Sequence, residues 1–124
     1  YAVLILGFDE VNDASLDLDS ARVESENFIM DGWIDSAGAG ISSRPRGKHA
    51  IRFIATHVAS FTTTDEAGAR VLIPESIEFG EGRAHIVGVI PATLTLCARG
   101  PVEVRFEVEE KPFAVRRWLR WSPA

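Results

Sequence analysis

A single cysteine, Cys97, stands in the 124 residues, so no internal disulfide can stabilise the chain. It lies in the apolar run ATLTLC, where the expected state is a buried structural thiol rather than a nucleophile, in a reducing compartment, the cytoplasm. Long hydrophobic runs are missing as well. The opening YAVLILGF is apolar for only eight residues, without a basic flank or a small-residue cleavage site, and it reads as a strand rather than a signal peptide or a membrane span. Helical periodicity is equally scarce, because no window of about a dozen residues keeps apolar positions at i, i+3, i+4 and i+7 between plausible caps. No repeat, linker or low-complexity tract is visible.

What is present matches an ordinary globular chain, with 46% apolar and 25% charged residues. The length suits one domain, residues 1–124, with a core of its own. PVEVRFEVEE alternates Val102, Val104, Phe106 and Val108 with Glu103, Arg105, Glu107 and Glu109, the period of a strand with one face in the core. AIRFIATHV is apolar on both faces and fits a central strand, with His57 on the same side as Ile51 and Phe53 and therefore expected in or near the core. RVLIP, SIEF, RAHIVGVI and ATLTLCA add short runs rich in β-branched residues, separated by proline and glycine at intervals of about 8–12 residues. DASLDLDSARVESENF is the one arguable helix, and its Leu16, Leu18 pair favours a strand. KPFAVRRWLRW is read as a last edge strand. The expected fold is all-β, an antiparallel β-sandwich of about 7–8 strands, with a closed barrel as the second choice.

The net charge of −5 conceals a gradient. Residues 1–35 carry nine acids against Arg22 alone, a local charge of −8, whereas residues 36–124 carry nine acids and twelve bases, +3. Such polarisation can steer an oppositely charged partner. In a strand, Asp17 and Asp19 would project from one face and repel unless a cation or a basic partner sat between them.

Reactive motifs fail on spacing. GAGISS at 38–43 lacks the third glycine and the following helix of a dinucleotide fingerprint, and Gly47-Lys48-His49 lacks the hydroxyl of a Walker loop. The acid–x–acid–x–acid–glycine pattern of a calcium loop is absent around Asp13, Asp17 and Asp19. His49, His57 and His85 show no zinc spacing, and no serine stands in a nucleophile elbow. No catalytic residue, metal or cofactor is assigned. Arg116, Arg117, Trp118, Arg120 and Trp121 could stack on and neutralise nucleic acid, but the acidic balance, pI near 5.1, favours an edge strand guarded by arginines, with no direct nucleic-acid partner.

The segment GWIDSAGAGIS, followed by RVLIP, GEGRAHI and RGPVEVRFEV, resembles the competence protein J family, small bacterial inhibitors of a DNA-entry nuclease. Gly32-Trp33 matches the family's aromatic after glycine, which leads into an alanine/glycine-rich turn and then a strand at Gly40-Ile41-Ser42. Val71 to Pro74, Gly82 to Ile86 and Gly100 to Val108 follow in the family's order, so the likeness spans residues 31–108. The resemblance implies a non-enzymatic inhibitor, or an immunity protein, whose acidic face occupies the partner nuclease. On that reading Asp13, Asp17, Asp19, Asp31 and Asp35 supply charge, and Trp33 supplies an interface hot spot. Residues 31–47 become a turn between strands whose functional weight rests on Asp31, Trp33 and Asp35. The alternative is a sandwich that binds a small ligand, carbohydrate or lipid on Trp33, Trp118 and Trp121. A carboxylate enzyme stands third.

Overall fold

The computed structural model describes residues 3–41 and 47–113. These build eleven strands: β1 Val3–Leu6, β2 Ser15–Asp17, β3 Arg22–Glu24, β4 Asn27–Asp35, β5 Lys48–Ala55, β6 Val58–Asp65, β7 Val71–Leu72, β8 Pro74–Gly80, β9 Arg83–Gly88, β10 Ala92–Ala98 and β11 Val104–Glu109. They form two antiparallel sheets packed as a sandwich. The larger runs β1-β11-β5-β4-β2-β7, with β3 also on β4, and the smaller runs β6-β10-β9-β8. The fold class is the expected one, and the strand count exceeds the seven or eight expected. The excess comes from β2, β3 and β7, pieces of two or three residues too short for any alternation to register.

Central placement of β5 follows from its two apolar faces. It is flanked by β4 and β11, with Ile51, Phe53, Ile54 and Ala55 all buried. Alternation in β11 buries Phe106 and Val108, and in β10 it buries Ala92, Leu94 and Leu96. An aromatic chain crosses the core: Phe61 of β6 lies 5.0 Å from Phe28, Phe28 6.1 Å from Phe53, Phe53 5.2 Å from Phe106, and Phe106 6.1 Å from Phe8. Pairs in such tilted geometry contribute about 0.5–1.5 kcal/mol each beyond the area they bury.

Several local expectations are corrected. Cys97 is exposed, because the inward parity of β10 belongs to Leu94 and Leu96 and leaves Cys97 on the outer face. His57 is no core residue. It takes a positive φ of 59° in the β5–β6 turn, is exposed, and its Nδ1 donates to the Pro101 carbonyl at 2.8 Å. The strand at Gly40-Ile41-Ser42 does not form at its first two positions: Gly40 has φ +71° within a turn and Ile41 is irregular. Most of the expected last strand over 111–121 lies outside the described residues, from 114 onward, and Lys111 to Phe113 are not strand.

The β2–β4 contact is unusually close. A Cβ on Gly32 would collide with the Ser15 carbonyl oxygen and crowd the Leu16 backbone, atoms that cannot rotate away. Gly32→Ala is therefore expected to cost about 1–3 kcal/mol or more through overpacking. Urea unfolding should show a lowered midpoint.

Candidate functional site

Strand β4 sorts its residues by parity. Phe28, Met30 and Ile34 enter the core, while Asp31, Trp33 and Asp35 lie on the outer face of the large sheet. Asp31, Trp33 and Asp35 thus sit on a strand, and the turn expected over 31–47 begins only at Ser36. Antiparallel register sets Arg52 of β5 opposite Asp31, Ala50 opposite Trp33 and Lys48 opposite Asp35.

Asp31 is clamped from both sides, by Arg52 Nε at 2.7 Å and Arg22 at 3.0 Å. Its backbone N–H donates to Ser20 Oγ at 2.8 Å, and that hydroxyl donates to the Asp17 carbonyl at 2.6 Å. Ser20 thereby fills the gap in the sheet edge between β2 and β3. Partial burial pushes the Asp31 carboxyl upward, but the hydrogen bonds and charges of Arg52 and Arg22 outweigh it and hold the group below its ordinary range. The Arg22 guanidinium is correspondingly raised, chiefly by its hydrogen bond to Asp31. Trp33 is 37% exposed, and Lys48 Nζ lies 3.4 Å from its ring centroid, a cation–π contact that holds the indole on the face. Exposed Val3 and Ile5 of β1 complete the surface. A shallow hollow of about 300 Å³ on this face is lined by Val3, Asp31, Ala50, Ile51, Arg52, Glu107 and Glu109, not by Trp33.

The six residues singled out from sequence lie on β2, on β4 and in the segments that flank β2, in different states. Asp17 does not share a strand face with Asp19. The strand ends at Asp17, whose carboxylate caps the 3-10 turn Leu18–Ser20 by accepting the Asp19 N–H at 2.9 Å. Asp19 pairs with Arg70 at 3.2 Å. Asp13 is exposed with φ 57°, in a loop held against the turn after Asp35 by the Asn12 N–H bond to the Gly38 carbonyl. Asp35 is exposed at the end of β4. Lys48, Arg52 and Arg22, which position Asp31 and Trp33, were not singled out from sequence. Only the strand register brings them there.

A second cluster was also missed. Ser36 Oγ lies 2.7 Å from His49 Nε2, and His49 Nδ1 donates to the Glu109 carbonyl at 2.7 Å. This is the spacing of a base-activated nucleophile. Both side chains are buried, though, at 3% and 0% exposure, and Ser36 Oγ also accepts the Gly47 N–H at 3.0 Å. The pair ties the end of β4, the start of β5 and the end of β11 into one knot. Among the described residues no group of three or more His, Cys, Asp or Glu could hold a metal ion, and no helix is long and apolar enough to cross a membrane.

Comparison with known proteins returned no matching family model, no matching curated protein and no matching solved structure.

Two outcomes follow from the geometry. Because the Asp31 carboxyl is depressed in the folded state, its contribution is present above the unfolded value of about 3.9 and is lost as pH falls through the folded value. Asp31→Asn should therefore be less stable than the parent at pH 7, with the difference closing below about pH 4 in urea titrations. Ser36→Ala leaves a buried His49 nitrogen without its partner and should cost about 1–3 kcal/mol by the same method.

Proposed function

We propose that this chain is a non-catalytic, cytoplasmic protein-binding domain that inhibits or modulates a partner, and that the partner is a nuclease, in DNA-uptake competence or as the toxin of an immunity pair. The observation that carries the reading is the outer face of the large sheet. It combines a half-exposed tryptophan fixed by Lys48, a carboxylate fixed between two arginines, and exposed aliphatic residues at its edge. Aromatic and arginine side chains held in place before contact are what interface hot spots are made of.

Charge supports the same reading. The chain carries a formal charge of −5, and residues 1–35 alone carry −8. A nuclease presents a positive phosphate-binding site, and an acidic body can enter it in place of substrate and be drawn there quickly. The resemblance to the competence protein J family over residues 31–108 points to the same partner class.

The test is DNA cleavage by a candidate cognate nuclease from the same host, measured with and without the purified domain. Stoichiometric inhibition and co-elution on gel filtration are expected; unchanged cleavage with no complex contradicts the reading. Within a complex, Trp33→Ala should weaken binding by roughly 30-fold or more, the scale of a hot spot. Asp13→Lys with Asp35→Lys should slow association and flatten its salt dependence.

A further inference from the structure

A separate hollow of about 170 Å³ opens where the 3-10 turn Phe8–Glu10 and the Asn12 loop meet the start of β8. Half-buried Phe8 and Val11 form its apolar side, over buried Ala14 and Phe106 at the end of the aromatic chain through the core, and the rest of its surface is polar. Asp9 and Glu75 also line it. Both are exposed, and among the described residues neither side chain has a hydrogen bond or an ion pair.

Each carboxylate is positioned by an irregular stretch of backbone. Asp9 sits in a 3-10 turn closed by the Glu10 N–H bond to the Gly7 carbonyl at 3.1 Å and by the Gly7 N–H bond to Glu10 Oε1 at 2.8 Å. Glu75 is the extra residue of a β-bulge, since Pro74 pairs with Gly88 and Ser76 with Val87. Bulges re-aim side chains, and here the bulged residue lines the hollow beside Pro74.

We propose that this hollow is the seat of an arginine side chain contributed by the partner protein. The aliphatic stem packs on Val11, Ala14 and Pro74, the guanidinium plane lies against Phe8, and Asp9 and Glu75 accept its hydrogen bonds. Charge complementarity selects this occupant: two unpaired carboxylates beside the ring of Phe8, on a chain of net charge −5, match a planar cation. The inference rests on the protein-binding reading and names the chemistry of one contact within it.

The probe is acetyl-arginine amide, titrated into the full chain by NMR, with uncharged acetyl-citrulline amide as its isostere. Saturable shifts at Phe8, Val11 and Ala14 are expected. They should weaken by about tenfold or more with citrulline and in the Asp9→Asn, Glu75→Gln double variant, as loss of charge-assisted hydrogen bonds requires. Both substituted groups are exposed and unpaired, so an unchanged thermal midpoint should confirm that the variant folds; should it not fold, the arginine–citrulline contrast on the parent decides. Equal shifts with citrulline, unchanged binding by a folded variant, or arginine shifts confined to other acids such as Glu78 and Glu81 would overturn the proposal. Failure here with complex formation intact removes the arginine seat alone, whereas an arginine seat without any nuclease complex removes the nuclease reading.

Discussion

Eight consecutive residue pairs join β4 to β5, from Phe28 opposite Ala55 to Asp35 opposite Lys48, and nearly everything else in the molecule is arranged around that register. Side chains alternate with a period of two, so a slip of one residue would expel Phe28, Met30 and Ile34 from the core and bury Asp31 and Asp35. The cost of burying two carboxylates in an apolar layer excludes the alternative. The same register delivers Arg52 to Asp31 and places Lys48 beside Trp33, so the pairing that builds the core also assembles the outer face. Ser20 and the Ser36–His49 knot secure the two margins of this strand pair, one beside Asp31 and one at its end.

Charge is handled differently in different parts of the surface. Asp31 and Asp19 are matched by arginines, and exposed pairs of this kind contribute little to stability, so their weight lies in holding side chains in place. Most of the other acids are exposed and give the body its negative field, which acts on a partner at a distance and is screened by salt. A surface with fixed aromatic and guanidinium groups inside such a field loses little side-chain entropy on binding. Those are properties of recognition. The Ser36–His49 contact serves structure, buried with its hydrogen bonds engaged.

Strong alternation was legible in advance. β5, β10 and β11 could be read from Ile51, Leu94 and Phe106 and their neighbours, and with them the fold class. Asp31, Trp33 and Asp35 could be named from their surroundings, although the strand holding them was read as a turn, since Gly32 resembles a breaker and is in truth demanded by the close approach of Ser15. Cys97 and His57 were misplaced for a shared reason: a residue at the end of an apolar run belongs to the core only if its parity and backbone conformation carry it there. Arg22, Arg52 and Lys48 were invisible as a group because they lie far apart in the chain and meet only through strand pairing. Asp9 and Glu75 were hidden similarly, brought to one hollow by a 3-10 turn and a bulge that carry no sequence signature.

The central claim is that the outer face of the large sheet, with Trp33 at its middle, is where a partner protein sits. Hydroxyl-radical footprinting of the domain alone and in complex with the proposed nuclease partner tests this most directly, because Trp33 is exposed enough to be oxidised and Phe79 of β8, 57% exposed on the smaller sheet, is an internal reference. The account predicts that oxidation of Trp33 falls sharply in the complex while that of Phe79 is unchanged. A saturated complex in which Trp33 is oxidised as readily as in the free domain would contradict it.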